Sequence, residues 1–233
     1  PVGQPGWLWQ NHLETPDAAM QPDDAPASTA DPAPGTAAPR RRARPGERRE
    51  QILQALAAML EQPALDRITT AALAARLQMS EAALYRHFAS KAQMFEALID
   101  FIESSVFGLV NQIGARGPAG PARAARIVTM VLQFGEKNPG MARVMVGDAL
   151  VGEHQRLQER MNHLFDKLEA ALRQSLRDGA AQDGAATATP DADAKVAAAL
   201  LVAFMAGRLQ RFARSGFRRS PLDQLPACLA RIL

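Results

Sequence analysis

The chain holds a single cysteine, Cys228, in 233 residues. That excludes an internal disulfide framework and suits a reducing compartment, with the thiol serving as packing. Aromatic residues make up only 5% of the sequence, and Ala and Leu dominate its apolar share. That balance favours helices over sheets. No run of 18 or more apolar residues occurs, so no membrane span is expected. The opening PVGQPGWLWQNHLETPD lacks a basic start followed by an apolar stretch, so it does not read as a signal peptide. Signatures of catalysis are missing as well: no phosphate loop, dinucleotide fingerprint, nucleophile elbow or zinc spacing is found. His154 and His163 are half a turn out of phase on a helix and cannot share a metal. Glu159, His163 and Asp166 share a face but read as a solvated stripe. The expectation is a protein that is not an enzyme, with no cofactor and no metal.

What is present begins with 47% hydrophobic residues, enough for a core. The formal charge is +3, and residues 1–39 carry five acids and no Lys or Arg, so the remainder carries +8. A folded part this basic points to a polyanion. Residues 1–46 hold nine of the sixteen prolines and show no helical or strand period. They read as a disordered Pro/Ala/Asp-rich tail. The tail ends in a basic arm, where Arg40, Arg41, Arg42, Arg44, Arg48 and Arg49 face only Glu47. Such an arm suits phosphates or a minor groove, or a solvated linker.

From Glu47 the pattern is helical throughout, so the fold class is all-α. Ile52, Leu53, Leu56, Met59 and Leu60 form one apolar stripe, closed by Pro63. Segment 68–88, ITTAALAARLQMSEAALYRHF, reads as two short helices joined by a Gln78–Met79 turn. Thr69 or Thr70 caps the first, and Ser80 caps the second with Glu81 in its first turn. Leu73 and Leu77 face inward, as do Leu84 and Phe88. A further helix opens at Lys91 and carries Phe95, Leu98, Ile99, Ile102 and Val106 on one face. It is expected to end near Gly114. Later helices run from Ala122 with a break at Asn138-Pro139-Gly140, from Glu153 to Arg177, and from Pro190 to about Ser215, with a short last one after Pro221. Residues 178–190 read as a flexible loop.

Segment 69–88 suits a helix-turn-helix. Short side chains at the start of its second helix approach base edges, and flanking donors hold phosphates. Ser80, Glu81 and Ala82 meet the first need; Thr69, Tyr85, His87 and Lys91 meet the second. Arg86 suits either, because a guanidinium bonds two acceptors of guanine at once.

The run from Ile68 to Phe95, with SEAALYRHF followed by SKAQMF, resembles the N-terminal domain of the TetR family. The resemblance implies DNA-facing roles for Thr69, Ser80, Ala82, Tyr85, Arg86, His87 and Lys91. The family usually has glycine where this chain has Gln78; a positive φ there would cost roughly 1 kcal/mol. It also implies a helix-turn-helix domain over 47–92 and a C-terminal helical dimerisation and partner-binding domain over 93–233. RREQILQALAAMLE, FGEKNPGMARVM and RFARSGFRRSP extend the likeness to the nucleoid occlusion members of that family. They imply a cytoplasmic, nucleoid-associated homodimer on palindromic double-stranded DNA that binds the division protein FtsZ, with no membrane partner. Phe101, Lys137 and Asn138 would lie on the FtsZ surface, while Leu109 stands where those proteins have a basic residue. The alternative is a TetR-type repressor released by a small ligand, with Met130, Phe134, Met141, Met145, Phe204 and Met205 around the pocket. For the dimer, Val196, Leu200, Leu201, Phe204 and Leu209 are expected to supply much of the interface.

Overall fold

The computed structural model describes residues 46–62, 68–182 and 189–233. Most of the proline-rich tail, its arginines through Arg44, Pro63 and the middle of the loop before Pro190 lie outside the described residues. Among those described, every regular element is helical: α1 (Glu47–Leu60), α2 (Thr70–Arg76), α3 (Glu81–Tyr85), α4 (Lys91–Ala115), α5 (Pro121–Lys137), α6 (Pro139–Met145), α7 (Gln155–Gln182), α8 (Pro190–Arg214) and α9 (Leu225–Ile232).

The amino-terminal cluster forms because each short helix has a cap and one apolar face. Thr69 Oγ1 accepts from the Ala72 N–H at 3.1 Å and Ser80 Oγ from the Ala83 N–H at 3.1 Å, each satisfying a donor the helix leaves open. Gln78 sits at φ +52. Its N–H donates to the Ala75 carbonyl, and that of Met79 to the Ala74 carbonyl, both at 3.0 Å. This is the paired bonding of a left-handed helix stop, formed here by glutamine at the position where glycine was expected. Ile52, Leu56, Leu73, Leu84, Phe88 and Phe95 are buried beneath; Leu77 is half-buried.

Two devices seat this cluster on the rest. Gly140 of α6 lies so close to α1 that an added Cβ would stand 2.5 Å from the Ala57 carbonyl oxygen. The buried Arg143 donates toward the Leu60 and Gln62 carbonyls at the carboxyl end of α1, each at 3.4 Å, and to Asp148 at 2.6 Å. Those carbonyls have no partner inside α1, so the cation serves them as a cap from another helix. α4 links the two parts and is tied to α7 by ion pairs: Glu96 to Arg156 at 2.7 Å, and Asp100 and Glu103 to Arg160, each at 2.8 Å.

α7 and α8 pack along their lengths as an antiparallel pair, with Arg173 near the end of one on Asp191 at the start of the other at 2.6 Å. α7 runs on to Gln182, through Asp178 and Gly179, which composition had assigned to the loop. The reason is tertiary: Gly179 meets Gly120 so closely that a Cβ would come 2.2 Å from the Gly120 Cα. α8 is long and apolar enough to cross a membrane by length and composition. It buries Ala198, Leu201, Met205, Leu209 and Phe212 against the other helices and leaves Val196 (61% exposed) and Leu200 (54% exposed) on the opposite side. Leu201 and Leu209 therefore belong to the protomer's own core, not to an interface as the sequence suggested.

Candidate nucleic-acid interface and partner surface

α2 and α3 set the candidate DNA face. Tyr85 is 44% exposed, and its hydroxyl lies 3.5 Å from Thr70 Oγ1, which in turn donates to Glu81 Oε2 at 2.6 Å. This chain of hydroxyls and carboxylate ties α3 to the start of α2. Ser80, Ala82 and Arg86 are exposed on the same short helix or its ends, and His87 is half-buried. Arg86 has no ion pair or side-chain hydrogen bond among the described residues. Thr69 and Ser80 accept from their own helices, so each keeps a hydroxyl proton to donate outward. The result is a narrow ridge with small residues at its start and donors along its flanks. Such a ridge fits the major groove and its bordering phosphates.

Lys91 is placed differently from the others. Its ammonium is paired with Glu153, whose side chain is 10% exposed, and lies 5.6 Å from the Phe95 ring centroid. Sequence reasoning missed one residue that fastens this ridge. Arg49 of α1 donates to the His87 carbonyl at 2.7 Å and stacks over the Phe88 ring at 4.1 Å. It holds the end of α3 from 38 positions away. Spacing carries no signal of that contact.

Phe101, Lys137 and Asn138 are brought to one place through a residue not singled out for that surface. The Phe101 ring lies 6.4 Å from that of Phe134, and the Asn138 side-chain amide donates to the Phe134 carbonyl at 2.8 Å. Lys137 is exposed at the end of α5 beside them. Phe101 is half-buried there, and the Asn138 amide closes the end of α5.

Two family models match: the tetR family of bacterial regulatory proteins over residues 52–98, and a SlmA-like tetracyclin repressor-like C-terminal domain over residues 121–229. Nucleoid occlusion factor SlmA of Idiomarina loihiensis is 47% identical over 180 residues, which span 77% of this chain and 90% of the relative. SlmA of Citrobacter koseri is 49% identical over 181 residues, with the same coverage of both chains. This chain belongs to the SlmA nucleoid occlusion factors of the TetR family.

The SlmA-type chain also shares its fold with more distant TetR regulators. A TetR-family regulator from Bordetella parapertussis superposes with a TM-score of 0.61 at 19% identity, covering 81% of this chain and 95% of its own. The fatty acid degradation regulator FadR from Bacillus halodurans gives 0.64 at 12% identity, covering 82% and 96%. These likenesses bear on the fold alone. Membership in SlmA places the chain among DNA-binding regulators rather than enzymes. Of the six residues considered for an inducer pocket, Phe134, Met141, Met145 and Met205 are buried in the SlmA-type core.

Proposed function

We propose that the chain is a homodimeric nucleoid occlusion factor that binds palindromic chromosomal sites and, once bound, engages FtsZ and blocks septum assembly over the nucleoid. The observation that carries this reading is the near-half identity to SlmA proteins along almost their whole length. The exposed α3 ridge supports the DNA half. Thr69, Tyr85, His87 and Lys91 take phosphates, Ser80 and Ala82 lie against base edges, and Arg86 reads guanine. Lys91 reaches a phosphate only by leaving Glu153, whose side chain is 10% exposed, so its contact is made at the cost of a largely buried ion pair.

The exposed Val196 and Leu200 support the dimer half, since apolar residues grouped on one helix face call for a partner surface. Two copies paired through α8, with α7 alongside, would set their α3 ridges roughly 34 Å apart, one turn of duplex. FtsZ is assigned to the Phe101, Lys137 and Asn138 junction, where an aromatic edge and an exposed cation meet.

Co-sedimentation of FtsZ polymers with the full chain, with and without a selected duplex, tests the proposal. When the duplex is present, less FtsZ should pellet, and the FtsZ that does pellet should carry more of the protein per molecule. Indifference of FtsZ polymerisation to the DNA-bound protein would overturn it.

A further inference from the structure

Lys91 opens α4, and its backbone is fixed there by a cap. Ser90 Oγ accepts from the Gln93 N–H at 3.2 Å, and Gln93 Oε1 accepts from the Ala89 N–H at 2.9 Å. Only the Lys91 side chain is left to choose a partner. A cation in the first turn stands at the positive end of the helix dipole, where an anion is favoured. Glu153 supplies that anion from 62 positions away.

Glu153 is the exception in its own segment. Leu150 and Leu157 are buried, and between them Val151, Gly152, His154, Gln155 and Arg156 are exposed. Glu153 alone turns inward, to the Lys91 ammonium, its one side-chain partner among the described residues. Gly152 stands at φ +75 with nothing within 4 Å of an added Cβ, so the segment has room to swing outward. Among the described residues, three further ion pairs join α4 to α7, each with the acid on α4 and the cation on α7. Lys91–Glu153, with its acid just ahead of α7, reverses that order and is the least exposed of the four. Its cation is also the only one of theirs assigned to a DNA phosphate.

We propose that this pair is a latch worked by DNA: Glu153 holds Lys91 in the free protein, and a backbone phosphate takes its place on binding. The latch rests on the DNA reading above and adds to it a competitor within the chain. A carboxylate that loses its cation in a largely buried place is unstable there. Glu153 therefore moves into water, carrying Val151 and Gly152 with it, and α7 is released from α4 at the first of their pairs. α4 also carries Phe101, which meets Phe134, so the release runs from the ridge toward the partner junction. The coupling is reciprocal: DNA opens the pair, and whatever opens the pair strengthens DNA binding. Glu153 is thus a positioning residue for Lys91 that itself touches no DNA.

Equilibrium binding of the full chain to a selected duplex, beside thermal melting of the free protein, tests the latch through Glu153→Gln, Lys91→Gln and the double variant. Glu153→Gln should bind about tenfold more tightly yet melt at a lower temperature, because its lysine is unpaired off DNA. A pair that only braces the fold would lower both. Lys91→Gln should weaken binding and reduce the salt slope by about one. Adding Glu153→Gln to Lys91→Gln should then leave affinity unchanged, which sets aside a general effect of removing negative charge near DNA. The double variant leaves neither charge uncompensated, so it keeps the comparison with wild type if a single variant is unstable. Hydrogen exchange of residues 150–156 should quicken when wild type meets the duplex and stay unchanged in the double variant. Equal or weaker affinity of Glu153→Gln, the same gain with Lys91 absent, an unmoved salt slope, or no quickening on the duplex would overturn the latch while selective DNA binding stands. A wild type that selects no duplex would instead end the DNA reading, and the latch with it.

Discussion

Gln78 shows how a single residue records a choice against stability. It holds φ +52 and completes the helix stop that glycine would make without strain. Gln78→Gly should raise stability by roughly 0.5–1 kcal/mol, seen as a higher thermal midpoint with DNA affinity retained. A lower midpoint would show that the glutamine side chain makes a contact worth more than the strain. Arg86 carries a different kind of test. Arg86→Ala should cost about 1–3 kcal/mol on the selected site and relax the preference at one base position. Equal losses on every duplex would mean that it holds phosphate only. The ridge itself was legible in the sequence because caps, turn and inward leucines each have local chemistry. The grip of Arg49 on His87 and Phe88 was not legible, because it joins two segments that only packing brings together. Leu201 and Leu209 misled for a related reason: α8 is apolar around most of its circumference, so period alone does not say which side meets the core and which meets solvent.

Among the elements, the contact of α6 with α1 decides how the DNA ridge is seated. Gly140→Ala would drive a methyl into the Ala57 carbonyl, so α1 must move. A loss of roughly 1–3 kcal/mol in unfolding free energy is expected, together with weaker DNA binding. Unchanged stability would mean that α1 shifts freely and that Arg143 alone maintains the seat. At the far end, the Arg173 hydrogen bond holds the Asp191 carboxyl below its ordinary value of 3.8. A carboxyl depressed in the folded state contributes its stabilisation above the unfolded value and loses it as pH falls through the folded one. NMR titration should therefore place the Asp191 midpoint below 3.8 in the native chain and return it toward 3.8 in Arg173→Gln. An unmoved midpoint in the variant would assign the depression to the helix terminus instead. The full length of α7 was hidden in the sequence because DGAAQDG is loop chemistry by composition. The meeting of Gly179 with Gly120 is what makes small residues useful inside that helix.

For the whole molecule, the proposed function needs the α3 ridge, the apolar α8 face and the junction at Phe134 within one dimer. Leu200→Glu, on the open side of α8, should convert dimer to monomer in sedimentation equilibrium. Affinity for the palindrome should fall by about 100-fold, because the second ridge no longer binds as a tethered copy. Affinity should also fall steeply with salt, as counterions displaced from phosphates return. The overall plan was readable because helical periods, caps and proline breaks are local, and because the TetR-like run is distinctive. The α4–α7 ion pairs and the convergence of Phe101 with Asn138 were not, since they depend on the register in which long helices pack.

The most direct test is equilibrium binding of the full chain to a duplex selected from chromosomal fragments, run beside a scrambled duplex and beside Tyr85→Ala and Arg86→Ala. The account predicts tight, salt-sensitive binding to the selected site, weaker binding to the scrambled one, and losses in both variants. Wild-type affinity that does not distinguish the two duplexes, or that survives both substitutions, would contradict it.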